Sequence, residues 1–498
     1  MQSQTPNQNR PAAPESGPVR PVTAHGHAVE KLEARRRALR MVLVSWLFGA
    51  AWAFIASGAI LTRYAKFLGL SAFGFGVLAA LPYAGALAQL PTSYFLERYG
   101  RHKLVFLVTG IIHRSLWAVM ALIPWVLPKT WWWPAFLVLL AVSFFTAHMS
   151  NPAWVSWMAD LVPKRIRGRF FSRRGQLGQM VGVIATILIG VVLDRADAHG
   201  SRALCLTISV ALVVAAVCGV IDFLCFLPVP GPPVPKPNQQ VSLWSIVRQP
   251  LADRSFRRYL AYQATLTLAM GYIAQYIWLY VFDIVGMSNT RANVLLVVVP
   301  LLVFMVVTPL WGRLIDRLGR KPVLVIATSL FVPGALSWVF VTHDRWVGGY
   351  VGAMVATVAW PGIDLASFNI LLSMSESMSG RRYGTAYVAV NAVVVALAGI
   401  ASGLFGGIVA QGLSQWHGTI LGWPLTYHGV LFIISSALRV MALGWLIGLV
   451  DARAYSTRAA FRYLGTNLYS NLQQVVFTPG RLITRLSRWT YKVNPRTK

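Results

Sequence analysis

The sequence predicts an all-α membrane protein with twelve transmembrane helices in two pseudo-symmetric six-helix bundles. Three observations carry that prediction: apolar runs of spanning length recur along the chain, basic residues gather in alternate connections, and one charged loop pattern occurs twice. The composition agrees. Of 498 residues, 56% are hydrophobic and only 12% charged, about half the charged share of a soluble domain. That excludes an ordinary soluble protein, a disordered chain and a disulfide-stapled secreted domain. The excess of 45 Lys and Arg over 15 Asp and Glu gives a net charge of +30. In a soluble chain this would suggest nucleic acid; here it reads as membrane topology, and no nucleic-acid partner is expected.

A spanning helix needs about 20 apolar residues at roughly 1.5 Å each. Such runs lie at 41–62, 71–96, 104–126, 132–158, 175–193, 204–227, 258–282, 292–314, 322–342, 347–372, 385–410 and 428–449. The first follows Arg35, Arg36, Arg37 and Arg40 and is too long for a signal-peptide core, so it should remain uncleaved with the N-terminus inside. An even number of spans then returns the C-terminus to the same side. The loops agree: predicted inner connections carry Arg98, Arg101 and Lys103, then Lys164 to Arg174, then Arg254, Arg257 and Arg258, then Arg317, Arg320 and Lys321, then Arg381 and Arg382. Predicted outer connections mix Arg63, Lys66, Lys129, Arg195, Arg202, Arg291 and Arg345 with Asp194, Asp197, Asp283 and Asp344.

The domain organisation follows. Residues 1–38, rich in Pro, Gln and Ala, are expected to be disordered in the cytoplasm. Residues 39–228 form the first bundle, 229–257 a cytoplasmic linker opening with a Pro-rich extended stretch, and 258–450 the second bundle. In the tail, 451–498, Arg481, Arg485, Arg488 and Lys492 recur beside Leu482, Leu486, Trp489 and Val493, the pattern of a helix lying on an anionic lipid leaflet. A solvated basic tail is the plainer alternative. Cys205, Cys218 and Cys225 share one apolar run with no CxxC spacing, so neither a disulfide, a metal site nor a cofactor is expected.

The repeat is specific. SYFLERYGRHK, from Ser93 to Lys103, lies between runs 2 and 3, and GRLIDRLGRKP, from Gly312 to Pro322, between runs 8 and 9. Glu97, Arg98, Gly100 and Arg101 thereby match Asp316, Arg317, Gly319 and Arg320. After the fourth run of each half, Asp160 with RIRG matches Glu376 with RRYG at nearly the same offset.

On these residues the sequence resembles the major facilitator superfamily, whose signature loop is G-x-x-x-D-R-x-G-R-[RK]. Gly312, Asp316, Arg317, Gly319, Arg320 and Lys321 fit it fully; the first copy departs with Ser93 for Gly, Glu97 for Asp and His102 before Lys103. The resemblance, over about 39–450, implies a secondary transporter working by alternating access around a midplane site, with Glu97, Arg98, Gly100, Arg101, Asp160, Gly312, Asp316, Arg317, Gly319, Arg320 and Glu376 as an inner gate. Asp160 and Glu376 are the expected partners of Arg101 and Arg320. Topology-setting charge and helix capping is the alternative for the same residues. A non-transporting receptor or assembly factor on this scaffold is the rival function.

Ionisable residues deep in a membrane are costly unless paired or hydrated, which makes them functional candidates. His148 lies twelve residues before Asp160, and Asp364 twelve before Glu376, so both sit roughly 18 Å inside the same membrane face. Because the family's helices 4 and 10 line its cavity, these two are candidates for substrate binding or proton coupling, the alternative being satisfied buried polar groups. Arg114 is a candidate partner for Asp222, and Arg439 has no evident acidic partner. Asn151 and Trp154, Asn369 and Trp360, and Thr265, Tyr272, Gln275 and Tyr276 are neutral cavity candidates suited to an uncharged or amphipathic small molecule. Thr265, Tyr272 and Tyr276 fall near one helical face. Gly178 with Gly182, and Gly399 with Gly403, have the spacing for close helix approach. The drug-antiporter and sugar-porter elements of the family are missing, and no catalytic or nucleotide-binding motif appears. The chain is expected to be a monomeric bacterial inner-membrane protein that is not an enzyme.

Overall fold

A computed structural model describes residues 23–163, 165–231, 248, 250–377, 384–420 and 422–449, with 23–32, 97, 375–377 and 384–386 described as backbone alone. The basic tail, residues 1–22, most of the linker, Arg381, Arg382 and the side chains of Glu97 and Glu376 lie outside the described residues.

Among the described residues, twelve helices are long and apolar enough to cross a membrane: Glu33–Ile55, Ala72–Leu96, His102–Ala121, Lys129–Leu161, Arg167–Ala198, Ser201–Leu224, Arg254–Asp283, Asn289–Leu318, Arg320–Phe340, Trp346–Met374, Tyr387–Gly412 and Tyr427–Leu446, here spans 1 to 12. They are the twelve that the apolar runs predict. The helix of span 1 starts earlier than expected, at Thr23, inside the stretch 1–38 read as disordered; Glu30 to Arg40 is rich in helix-favouring Leu, Ala, Glu and Arg. The two repeated loops lie on one face, called here the motif side. On the opposite face, between spans 11 and 12, His417–Ile420 (β1) pairs antiparallel with Trp423–Thr426 (β2), with His417 opposite Thr426 and Ile420 opposite Trp423. We call this the hairpin side. Four-residue strands give too little alternation to be read from sequence.

Local chemistry sets the helix ends. Ser71 caps span 2 by accepting Gly74 N–H, Asp253 caps span 7 by accepting Ser255 and Phe256 N–H, and Ser288 caps span 8 through Arg291 N–H. In the repeated loops, Gly100 has φ 63° and Gly319 φ 91°, the left-handed region where glycine stops a helix without strain.

Span 7 is broken in its middle. One helix ends at Gly271 and the next begins at Tyr276, with a turn between them. The break leaves carbonyls that must find donors inside a membrane. Two serines supply them: Ser402 of span 11 donates to Leu268 O, and Ser435 of span 12 donates to Ala269 O at 2.7 Å.

The apolar core shows how the bundles meet. One buried cluster on the hairpin side draws on both, joining Ile60, Tyr64, Leu78, Phe136 and Ile208 to Tyr276, Leu279, Val285 and Phe432. On the motif side each bundle keeps its own core: Val42, Phe106, Trp157 and Phe226 in the first, and Phe256, Tyr259, Trp311 and Tyr387 in the second. The bundles are therefore sealed together on the hairpin side and separate towards the motif side.

Candidate functional site

The seal is built from spans 2, 5, 7, 8 and 11. Span 2 and span 11 approach backbone to backbone, and a Cβ on Gly403 would stand 2.6 Å from Gly76 O. Gly399 faces the Tyr83 ring in the same interface. The span 5 glycines serve a different purpose within the first bundle, letting Trp46 and Phe54 of span 1 pack onto Gly178 and Gly182.

Polar bonds extend the seal. Asp194 accepts the N–H groups of Asn289 at 2.6 Å and Thr290 at 3.0 Å, and the Asn289 side-chain amide at 3.0 Å. Arg63 Nε donates to Asn289 Oδ1 at 2.9 Å while its Nη2 pairs with Asp197 at 3.4 Å. Lys66 pairs with Asp283. Asn293, 2% exposed, donates to Thr186 O at 3.0 Å, and Tyr276 donates to Ala72 O at 3.0 Å. Apart from the Arg63–Asp197 pair, which is internal to the first bundle, these bonds join the two bundles, and all lie on the hairpin side. Sequence reasoning saw Arg63, Lys66, Asp194 and Asp283 only as topological charge. The available signal was the gathering of four acids with bases in connections on one face.

On the motif side, the repeated loops bind helix ends within their own bundles. Lys103 Nζ donates to Leu227 O and Val229 O at 2.7 and 2.8 Å, closing the end of span 6. Lys321 Nζ donates to Ile447 O at 3.3 Å at the end of span 12. The first loop's departure, His102 before Lys103, moves the lysine by one residue without removing this contact. Arg98 Nη1 donates to the Tyr94 hydroxyl at 3.4 Å, which raises the arginine's pKa above its ordinary value. Asp160 and Arg101 are both exposed, and among the described residues no ion pair joins them. The end of span 4 is instead capped by Arg35, donating to Leu161 O and Asp160 O at 2.9 and 3.1 Å. Gly312 faces Leu365 across spans 8 and 10; Asp316 and Arg317 are exposed and Arg320 is half-buried.

The remaining sequence candidates separate by position. Asp364 is exposed in span 10 and has no hydrogen bond or ion pair among the described residues. His148 is half-buried, with Nδ1 2.8 Å from Gln89 Nε2 of span 2. With Gln89 donating to Nδ1, the ring proton sits on Nε2. Asn151 is exposed in span 4, while Asn369 donates to Leu365 O of its own helix at 2.8 Å. Tyr272 and Gln275 lie in the break of span 7, both half-buried. Tyr276 is fully buried in the seal, and Thr265 accepts from Trp445 Nε1 at 3.2 Å. Tyr272 and Tyr276 both lie against Gly406 of span 11, while Thr265 meets span 12, so the face expected to hold all three is divided at the turn in span 7.

Arg114 and Asp222 do pair, at 3.6 Å, each side chain 9% exposed. The guanidinium lies 3.3 Å from the Trp52 ring centroid, and His113 Nδ1 is 2.7 Å from Ser143 Oγ. Arg439, 2% exposed, donates to Phe331 O at 2.7 Å and stacks on that ring at 3.8 Å, with no carboxylate partner among the described residues. These groups sit inside the bundles and hold spans together.

A family model described as Major Facilitator Superfamily matches residues 41–403. No curated protein matches the sequence. Among solved structures, the nucleoside transporter NupG is similar at TM-score 0.61 and 12% identity, covering 84% of this chain and 98% of that one. A D-xylose-proton symporter is similar at TM-score 0.59 and 16% identity, covering 83% and 97%. A bacterial homologue of the iron transporter ferroportin, in an inward-facing state, is similar at TM-score 0.59 and 13% identity, covering 84% and 98%. At these identities the likeness is one of fold. The family match takes in the first bundle, most of the second and both repeated loops, and the chain belongs to the major facilitator superfamily.

Proposed function

We propose that the protein is a secondary active transporter that carries a small organic solute by alternating access, with its motif side in the cytoplasm. The observation that carries this reading is the one-sided seal. Bonds and apolar core join the bundles on the hairpin side, and separate cores face the motif side. The excess of Lys and Arg in motif-side loops supports the cytoplasmic assignment, and the state described is then inward-facing in a bacterial inner membrane. A static receptor needs no closure assembled from groups that can separate, such as Asp194 with a helix start.

Asp364 is the residue we assign to proton coupling. It is a carboxylate within span 10, exposed and without a partner among the described residues, whereas the His148 ring is held by Gln89. The experiment uses a variant lacking the three native cysteines, reconstituted in vesicles. Ala59→Cys, buried in the seal, and Asn151→Cys, exposed on span 4, are alkylated in turn. Alternating access gives reciprocal rates: conditions that raise one lower the other. Rates that vary independently, or an Ala59→Cys thiol inert under all conditions, would sink the reading. In a pH series, Asp364→Asn should fix the ratio of the two rates where the parent's ratio changes.

A further inference from the structure

We infer that Arg174 is a solute-binding residue and that the transported solute carries a carboxylate or phosphate group. This rests on the transporter reading above and names its substrate class. Arg174 stands seven residues inside the start of span 5, about 10 Å along the helix from the motif side. Its guanidinium carbon lies 3.8 Å from the ring centroid of Trp46 on span 1 and 4.8 Å from that of Trp154 on span 4. Two aromatic faces hold the side chain flat, leaving its edge to donate. Nothing accepts from it: Arg174 makes no hydrogen bond or ion pair among the described residues, and its Nε is buried without a partner. The indole N–H of Trp46 is equally unsatisfied.

The charge balance of the first bundle explains why. Its interior holds two arginines, Arg114 and Arg174, against the carboxylate of Asp222, which Arg114 engages at 3.6 Å. Asp222 acts on Arg174 only through space, without touching it. One positive charge is thus left without a bonded counterion in a half-buried place, an arrangement that is costly unless an anion completes it. Arg174 lies towards the side where the bundles keep separate cores, and exposed Asn151 is one turn from Trp154 on span 4. Arg165, Arg167, Arg169 and Arg173 near the entrance raise the local anion concentration. Guanidinium presents a planar fork that matches both carboxylate and phosphate, and the flanking indoles offer apolar faces to the rest of the molecule. The sequence reading of an uncharged or amphipathic solute counted the aromatic and amide side chains and left Arg174 among the loop charges.

The test is thermal unfolding in neutral, lipid-free detergent at constant ionic strength, with benzoate, butyrate, phenyl phosphate and inorganic phosphate against benzamide and butyramide. At least one anion should stabilise the protein where its neutral amide does not. Arg174→Gln should weaken that effect about tenfold or more, and Arg174→Lys less. Should Arg174→Gln not fold, protection of Asn151→Cys from a neutral alkylating reagent by the same anions, with Arg174 intact, supplies the second measurement. The assignment is overturned if no anion exceeds the amides, if the effect survives Arg174→Gln, or if only added phosphatidylglycerol stabilises through Arg174, which would make the site a lipid site. The paired-thiol assay of alternating access uses no solute, so its outcome separates failure of this assignment from failure of the transporter reading.

Discussion

The carboxylate of Asp194 in span 5 accepts the backbone N–H of Asn289 at 2.6 Å, so an acid from one bundle caps the first turn of a helix in the other. It also takes the N–H of Thr290 at 3.0 Å. The start of a helix carries unpaired donors and partial positive charge, which makes it a natural receptor for this group. Such a contact is strong when formed and leaves no covalent tie when it separates. It is the best-defined latch in the seal.

Asp194→Ala should therefore favour opening on the hairpin side. Charge-assisted hydrogen bonds are worth about 1.5–3 kcal/mol each, so the open population should rise about tenfold or more. The measurement is alkylation of Ala59→Cys by a membrane-impermeant reagent from the hairpin side. An unchanged rate would show that the apolar cluster alone holds the seal. Lys66→Gln should have a much smaller effect, because Lys66 and Asp283 are each about a third exposed and surface pairs contribute little.

Gly403→Val should act in the same direction by sterics. A Cβ there would meet Gly76 O at 2.6 Å, a backbone atom that cannot move aside locally. Because the clash is between bundles and not within one, the variant should fold yet resist the closed state. The expected result is faster Ala59→Cys alkylation with little change in unfolding temperature. A large loss of unfolding temperature would instead place the contact in the folding core.

Asp222→Ala should strongly destabilise the first bundle. It strips Arg114 of its carboxylate in a site where both side chains are 9% exposed, and breaking such a pair costs about 3–5 kcal/mol. Arg114→Met with Asp222→Leu should recover much of that loss. If the double variant unfolds as early as the single one, Asp222 has a role other than neutralising Arg114. Gly49 gives Asp222 its room, since a Cβ there would meet the carboxylate.

Ser402→Ala should weaken the break in span 7. Its hydroxyl donates to Leu268 O, and an unsatisfied buried carbonyl costs about 1–3 kcal/mol. Chemical or thermal unfolding in detergent measures this directly. Ser435→Ala tests the neighbouring carbonyl of Ala269 in the same way. No loss in either variant would mean that water replaces the serines and that the break is hydrated.

Much of the molecule was legible as sequence because its determinants are local and periodic. Apolar length specified twelve spans, and the loop residues Gly100 and Gly319 were identified by their matching places in the repeat, where the structure puts both at positive φ. The pairing of Arg114 with Asp222 followed from the scarcity of acids: within the first bundle's spans few carboxylates could neutralise that arginine. Candidates on one helix fared less well. Thr265 joins Tyr272 and Tyr276 on one face only if span 7 is continuous, and the turn that separates it is supported by Ser402 and Ser435, more than a hundred residues away.

By itself, then, the sequence determined the spans, the repeat and the charge asymmetry of the loops, all set by hydrophobicity and local backbone chemistry. Only the tertiary structure decided which face is sealed, that Asp194 belongs to a latch, that Tyr276 lies inside the seal, and that Arg174 is left between two indoles without a bonded counterion. Those facts depend on which side chains meet across helices distant in the chain. Hydrophobic patterning says which residues enter the membrane, but the partners available there, and hence every buried charge's balance, are fixed by packing.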